Sequence, residues 1–159
     1  ISSLSLRIEE SKATIKTGSL PVIWCDQILL AQVFQNLIAN AIRFARPEVA
    51  AVIRIDAECR DDNVVVSVRD NGIGIPDEYA DMIFAPFKRL HPRHEYPGSG
   101  IGLSICKKVV KRHYGRIWIE SKVGEGTSFI FPLPIDPTRK ETPHDRESAP
   151  NRKDSPRRR

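Results

Sequence analysis

An apolar stripe that begins just after Asp26 confines the fold of this chain more than any other feature. Leu30, Phe34, Leu37 and Ala41 recur at three- and four-residue steps, and Val33 and Ile38 widen the stripe. That spacing is one face of an α-helix. Asp26 is a good N-cap, and Pro47 stops the helix shortly after Ala45. A helix with one apolar face needs a second layer to cover it.

Short alternating runs supply that layer. Residues 13–17, 22–25, 51–59, 64–69, 116–121 and 127–133 read as strands. Gly18-Ser19, Asp61-Asp62-Asn63 and Gly124-Glu125-Gly126 lie between consecutive strands, and the last two read as hairpin loops. Pro76-Asp77-Glu78 opens a short helix to about Ile83, and residues 84–97, which hold Pro86, Pro92 and Pro97, form a loop. Ile101, Ile105, Val109 and Val110 mark a second long helix that ends near His113-Tyr114-Gly115. Ile1, Leu4 and Ile8 suit a helix, whereas Leu4, Leu6 and Ile8 suit a strand, so the start stays open. These elements predict an α+β fold: a two-layer sandwich with a mixed, mostly antiparallel sheet covered on one face by the two long helices.

A length of 159 residues fits one domain of about 100–200 residues. The chain contains no apolar run long enough for a transmembrane helix and no signal-peptide pattern. Its start at Ile1 rather than Met suggests a piece of a longer protein. Cys25, Cys59 and Cys106 are odd in number and lack metal-ligand spacing, so they read as buried free thiols of a reducing cytosol. The net charge is +5, but residues 136–159 hold 8 Lys/Arg and 5 Asp/Glu, leaving 17 basic and 15 acidic residues in the body. A basic nucleic-acid-binding face is therefore not expected. The same final segment lacks large apolar residues and reads as a disordered basic tail. The domain plan is the end of an upstream segment over residues 1–12, a folded domain over 13–135 and the tail over 136–159.

Three segments carry chemistry. In Asp70-Asn71-Gly72-Ile73-Gly74-Ile75-Pro76 a strand ends on an aspartate that can accept a hydrogen bond from an amine. The alternate glycines allow close approach to the backbone. Gly98-Ser99-Gly100-Ile101-Gly102-Leu103 places glycines at a helix N-terminus, where exposed N–H groups bind anions. It is neither a Walker P-loop nor a dinucleotide fingerprint. On the first helix, Asn36 and Asn40 share one face, and their amide oxygens suit a hard cation such as Mg²⁺. Arg43 lies within reach of a phosphate.

Together these segments resemble the GHKL family of ATPases, and within it the histidine kinases. The helix with Asn36 and Asn40 is similar to the family's N box, and Asp70 to Gly74 to its first glycine box. Phe84-Ala85-Pro86-Phe87 is similar to the F box, and Gly98 to Gly102 to the second glycine box. The stretch from Phe84 to Leu103, with Lys88-Arg89-Leu90-His91 and Glu95-Tyr96-Pro97, most resembles the kinases attached to phytochromes and related cytoplasmic sensors.

The resemblance implies a Bergerat-type ATP-binding fold with ATP and Mg²⁺ as cofactors. Asn36 and Asn40 would hold the metal, Asp70 the adenine amine, and Phe44 and Ile75 the adenine walls. Gly72 and Gly74 would pack close to the base. Arg43, Lys88 and Arg89 would reach phosphates, and Ser99 to Leu103 would cradle them below a lid. Many relatives carry lysine where Arg43 stands, which changes a point charge into a planar fork.

None of the four histidines lies upstream of Asn36. His94-Glu95 copies the acceptor dipeptide only superficially, because it sits in a proline-bounded loop. His144-Asp145 lies in the tail, and His113 reads as a cap or packing residue. The resemblance therefore implies the cytoplasmic catalytic domain of a homodimeric two-component kinase that is soluble or membrane-anchored as a whole, with residues 1–12 the end of an upstream linker or dimerisation helix. Its phosphoacceptor histidine would sit on an upstream dimerisation helix, and a response-regulator receiver domain would be its partner. The fragment itself would make no membrane contact. The alternatives are a serine kinase of the anti-sigma type, a non-catalytic nucleotide binder, and DNA binding through the tail.

Overall fold

The structure is a computed structural model that describes residues 3–92, 95, 96 and 98–136. His94, Pro97 and the expected tail from Pro137 onward, with His144, lie outside the described residues. Five strands form one sheet: β1 (Thr14–Thr17), β2 (Val52–Arg60), β3 (Asn63–Asp70), β4 (Trp118–Lys122) and β5 (Gly126–Pro134). Three α-helices accompany them: α1 (Ser3–Ser11), α2 (Gln27–Arg43) and α3 (Gly102–Arg112). The strand order is β1-β2-β3-β5-β4; β1 runs parallel to β2 and every other pairing is antiparallel.

The expected stripe builds α2. Asp26 caps it, its Oδ1 accepting the N–H groups of Ile28 and Leu29 at 3.1 Å each. Val33, Leu37, Ile38 and Ala41 are the residues it buries. Across from them, alternation puts Ile53 and Ile55, then Val64, Val66 and Val68, then Phe129, Phe131 and Leu133 on one face of the sheet. Cys106, Val109 and Val110 of α3 complete the core, and α3 packs against α2. Each large side chain removed from water here contributes about 1.5–3 kcal/mol. The opposite sheet face carries Arg54, Asp56, Glu58 and Arg60 on β2, with in-strand ion pairs at 2.6 and 2.8 Å.

Both hairpins form where turn residues predict them. Asp61 adopts φ 53° in the β2–β3 loop, and Gly124 adopts φ 81° in the β4–β5 loop. The ambiguous start is a helix: Leu4 and Ile8 of α1 pack on the core, while Leu6 is exposed.

Two expectations are corrected. Residues 22–25 are not a strand. Val22 is 95% exposed and Trp24 75% exposed. The Trp24 N–H donates to the Ile135 carbonyl at 3.3 Å, a single bond rather than a ladder. The apolar alternation of residues 22–25 joins no ladder of the sheet. The helix expected from Pro76 to Ile83 is two separate 3-10 turns, Asp77–Tyr79 and Met82–Phe84. They bring Ile83 and Phe84 inward while Met82 stays 45% exposed.

Candidate functional site

The C-terminal half of α2, the end of β3, the loop before α3 and the start of α3 enclose a cavity of ≈ 200 Å³. Asn36, Asn40, Arg43, Phe44, Asp70, Gly74, Ile75, Lys88, Arg89, Gly98, Ser99, Gly100, Gly102 and Leu103 all line it. The structure thus gathers these predicted residues, distant in sequence, around one space. Gly72 and Ile101 do not line it.

Asp70 sits on the core-facing register of β3, opposite Ile53. Its Oδ1 accepts the backbone N–H of Gly72 at 2.8 Å and of Thr127 at 3.2 Å. Burial pushes its carboxyl above the usual carboxylate range, and the two N–H donors pull it partly back. A half-buried acceptor held by two backbone donors has a fixed direction, which is what recognition of an amine requires.

The neighbouring residues brace it. The Asn71 amide accepts the Val52 N–H at 2.9 Å and donates to the Ala50 carbonyl at 3.0 Å. Arg46 donates from Nε to the Asn71 carbonyl at 2.9 Å and from Nη1 to the Gly124 carbonyl at 3.0 Å. Gly72 is required by protein packing, because a Cβ there would lie 2.5 Å from the Phe44 carbonyl. Gly74, at φ 74°, passes so close to the Lys122 carbonyl that a side chain would overlap it. The close approach read from the glycines is therefore largely of backbone to backbone.

Basic groups gather at the other end. Arg43 is half-buried, and Nη1 donates to Asn40 Oδ1 at 3.3 Å. Burial lowers its pKa, helped by the nearby charges of Arg7 and Arg89. Among the described residues none of these three arginines has a carboxylate partner. Gly98 rests on the Arg43 guanidinium, where a Cβ would come within 2.6 Å of Nη1. Helix α3 then starts at Gly102 with no side-chain cap on Ile101. Its first-turn N–H groups are donors at a positive helix end, a suitable anion site.

Asn36 faces the α2–α3 interface. Its Nδ2 is buried without a hydrogen-bond partner among the described residues, and its Oδ1 lies 3.3 Å from where a Gly102 Cβ would stand. The Cys106 thiol is nearby; burial pushes it up to about 12, and the Asn36 amide opposes the shift. Of the three free thiols Cys106 is buried, Cys25 half-buried and Cys59 exposed, so the expectation of three buried thiols fails at Cys59. His113 acts as the expected packing residue. Its Nε2 accepts the Asp26 N–H at 3.1 Å, and Nδ1 lies 2.9 Å from the Val109 carbonyl.

Sequence reasoning missed Arg7, and it missed His91, Tyr96, Thr127 and Phe129 of the lining. The signal for Thr127 was its place after the second hairpin glycine. Tyr96 and His91 depend on the fold of a loop without periodicity.

No helix among the described residues is long and apolar enough to cross a membrane. Over residues 25–137 the chain matches the family described as histidine kinase-, DNA gyrase B-, and HSP90-like ATPase. It is 50% identical over 135 residues to the phytochrome-like protein Cph1 of Synechocystis sp., covering 85% of this chain and 18% of that protein. It is 40% identical over 119 residues to the adaptive-response sensory kinase SasA of Synechococcus elongatus, covering 74% of this chain and 30% of that protein. The chain thus spans about a fifth to a third of the curated relatives it matches. The solved catalytic domain of the histidine kinase ThkA superposes with a TM-score of 0.70 at 33% identity, covering 86% of this chain and 88% of that one. Full-length ShkA, solved in complex with AMPPNP, gives a TM-score of 0.70 at 27% identity, covering 82% of this chain and 27% of that one. With its mixed sheet, its helical layer and the cavity between α2 and α3, this chain belongs to the histidine kinase-, DNA gyrase B- and HSP90-like ATPase family, as an ATP-binding catalytic domain of the histidine-kinase class.

Proposed function

We propose that the chain is the nucleotide half of a two-component sensor kinase, which binds Mg²⁺-ATP and delivers its γ-phosphoryl group to a histidine on a dimerisation helix of the full protein. The observation that carries this reading is the polarity of the cavity. Asp70, its carboxylate fixed by two backbone donors, lines the same cavity as Arg43 and Arg89, which have no carboxylate partner among the described residues. Adenine carries an amine donor and triphosphate carries the negative charge, so a nucleotide fits in one orientation. The AMPPNP bound by ShkA is an ATP analogue and supports the same ligand here.

In this reading Asp70 accepts from the adenine amine, and Phe44 and Ile75 wall the base. Arg43, Lys88, Arg89 and the first turn of α3 hold the phosphates. Asn36 and Asn40 both line the cavity; Asn40 Oδ1 accepts from Arg43 Nη1 at 3.3 Å, and the buried Asn36 Nδ2 has no hydrogen-bond partner among the described residues. The described residues contain no cluster of three or more His, Cys, Asp or Glu side chains for a metal. Mg²⁺ keeps several waters and takes substrate phosphates, so it needs few protein ligands, and amide oxygens suit a hard cation. Asn40, with Asn36, would hold it, and it would supply charge neutralisation at the β- and γ-oxygens.

An imidazole nitrogen of the acceptor forms the new bond to the γ-phosphorus, and the bond to the β–γ bridging oxygen breaks, leaving ADP. This chain contributes positioning and charge stabilisation. The full protein acts in the cytoplasm as a homodimer and passes the phosphoryl group to a receiver domain. Mixing the chain with radiolabelled ATP, Mg²⁺ and a dimerisation-helix protein tests the reading. Acid-labile phosphate on that protein is expected. Acid-stable phosphoserine would assign the serine-kinase class instead.

A further inference from the structure

Three aromatic rings meet at the rim of the cavity. The Tyr96 ring packs on Phe44 with centroids 5.0 Å apart and an interplanar angle of 38°. His91 lies 4.9 Å from Tyr96 and 6.0 Å from Phe44. All three residues line the cavity, so the cluster forms part of its wall. Phe44 closes α2, whereas His91 and Tyr96 come from the loop between Phe87 and Gly100.

That loop is tied in two places. The Phe87 N–H donates to the Gly100 carbonyl at 3.0 Å and closes its neck. Both residues take positive φ there, 62° and 73°. Higher up, Arg89 Nη2 donates to the Tyr96 carbonyl at 2.6 Å. The tyrosine ring and the Arg89 side chain are therefore held in one piece of loop. Arg43, 5.9 Å from the centroid of Phe44, continues the wall toward the basic end.

We propose that Tyr96, with His91 beside it, is a nucleoside-positioning residue of the lid: its ring, seated on Phe44, covers the nucleoside of a bound adenine nucleotide while Arg89 reaches the phosphates. This rests on the nucleotide reading above. Its physical content is that lid closure buries aromatic surface against the nucleoside instead of relying on phosphate charge alone. Offset aromatic packing adds to the effect of area burial, so losing the ring weakens binding by about tenfold.

Titration of the whole chain with ADP and with ATP, both with Mg²⁺, tests the proposal in wild type, Tyr96→Ala and Tyr96→Phe. The Tyr96→Ala chain is expected to bind both nucleotides about tenfold more weakly, with the ratio of the two affinities unchanged. Tyr96→Phe, which keeps the ring, is expected to stay within about twofold of wild type. Thermal melts without nucleotide should coincide for all three. A Tyr96→Ala chain with unchanged or tighter ADP binding would overturn the proposal. So would a loss confined to ATP, which would make the residue a phosphate device acting through Arg89. An equal loss in Tyr96→Phe would also overturn it, since the hydroxyl and not the ring would then matter. A wild-type chain that binds neither nucleotide overturns the nucleotide reading itself, whereas binding that ignores Tyr96 overturns only the positioning role of Tyr96.

Discussion

Asp70 shows most clearly what the site costs the fold. Its carboxyl is raised by burial, so the folded chain favours the protonated form more than the unfolded chain does. The stability this group contributes is fully present below its unfolded pKa and is lost as pH rises through the folded pKa. At neutral pH the ionised carboxylate therefore works against folding. Asp70→Asn removes that penalty and keeps an Oδ1 for the Gly72 and Thr127 N–H groups. Its melting temperature should exceed wild type at about pH 7, with the gap closing toward about pH 4. Nucleotide binding should fall more than about tenfold, because an amide donor would face the adenine amine. Paired melts and titrations check both halves, and a variant less stable than wild type at neutral pH would refute the charge argument. The motif revealed Asp70 in the sequence, but its support was invisible there. Arg46 acts through the backbone carbonyls of Asn71 and Gly124, and Asn71 through the Val52 N–H and the Ala50 carbonyl, and no local pattern encodes such partners.

Among the elements, α2 was legible because its stripe, its cap and its terminating proline all point the same way. The hairpins were legible because turn residues act locally. Residues 22–25 carry the alternation of a strand but meet no ladder, since pairing is a non-local property. The parallel pairing of β1 to β2 was equally hidden, because its connection runs through α2. The cavity inherits this mixture. Its α2 and β3 walls came from periodic elements, and its Tyr96 and His91 wall came from a loop. The interface of α2 with α3 and the sheet is where element-scale energetics concentrate. Leu37 is 1% exposed, so Leu37→Ala should cost about 2–5 kcal/mol. Urea unfolding followed by circular dichroism measures this, and a loss below about 1 kcal/mol would mean that the interface collapses around the gap. The thiols report on the same interface. Cys59 should react quickly with an aromatic disulfide reagent. Cys106, buried and pushed up to about 12, should react only as the helices part, and faster in Leu37→Ala.

On the scale of the whole molecule, the formal charge misleads unless it is located. Residues 136–159 carry a net +3, as 8 basic against 5 acidic residues, although the core closes at Leu133. Ile135 donates to the Asp62 carbonyl at 2.9 Å and accepts from Trp24 at 3.3 Å. The lining of the cavity begins at Asn36 and ends at Phe129. The basic groups of the body that bear on the proposed nucleotide site are instead Arg43 and Arg89, which line the cavity, with Arg7 of α1 near enough to help lower the Arg43 pKa. A chain ending at Asp136 keeps every one of these contacts. It should melt within about 2 °C of the full chain, a shift well under 1 kcal/mol for a domain of this size. Its affinity for ATP should also match, with the same dependence on salt, because that dependence belongs to the arginines of the body. Should truncation weaken ATP binding severalfold and flatten its salt dependence, the tail would be part of the electrostatic site. Should both stay fixed while weak, salt-sensitive binding to DNA disappears, the tail would act on polyanions independently of the nucleotide site.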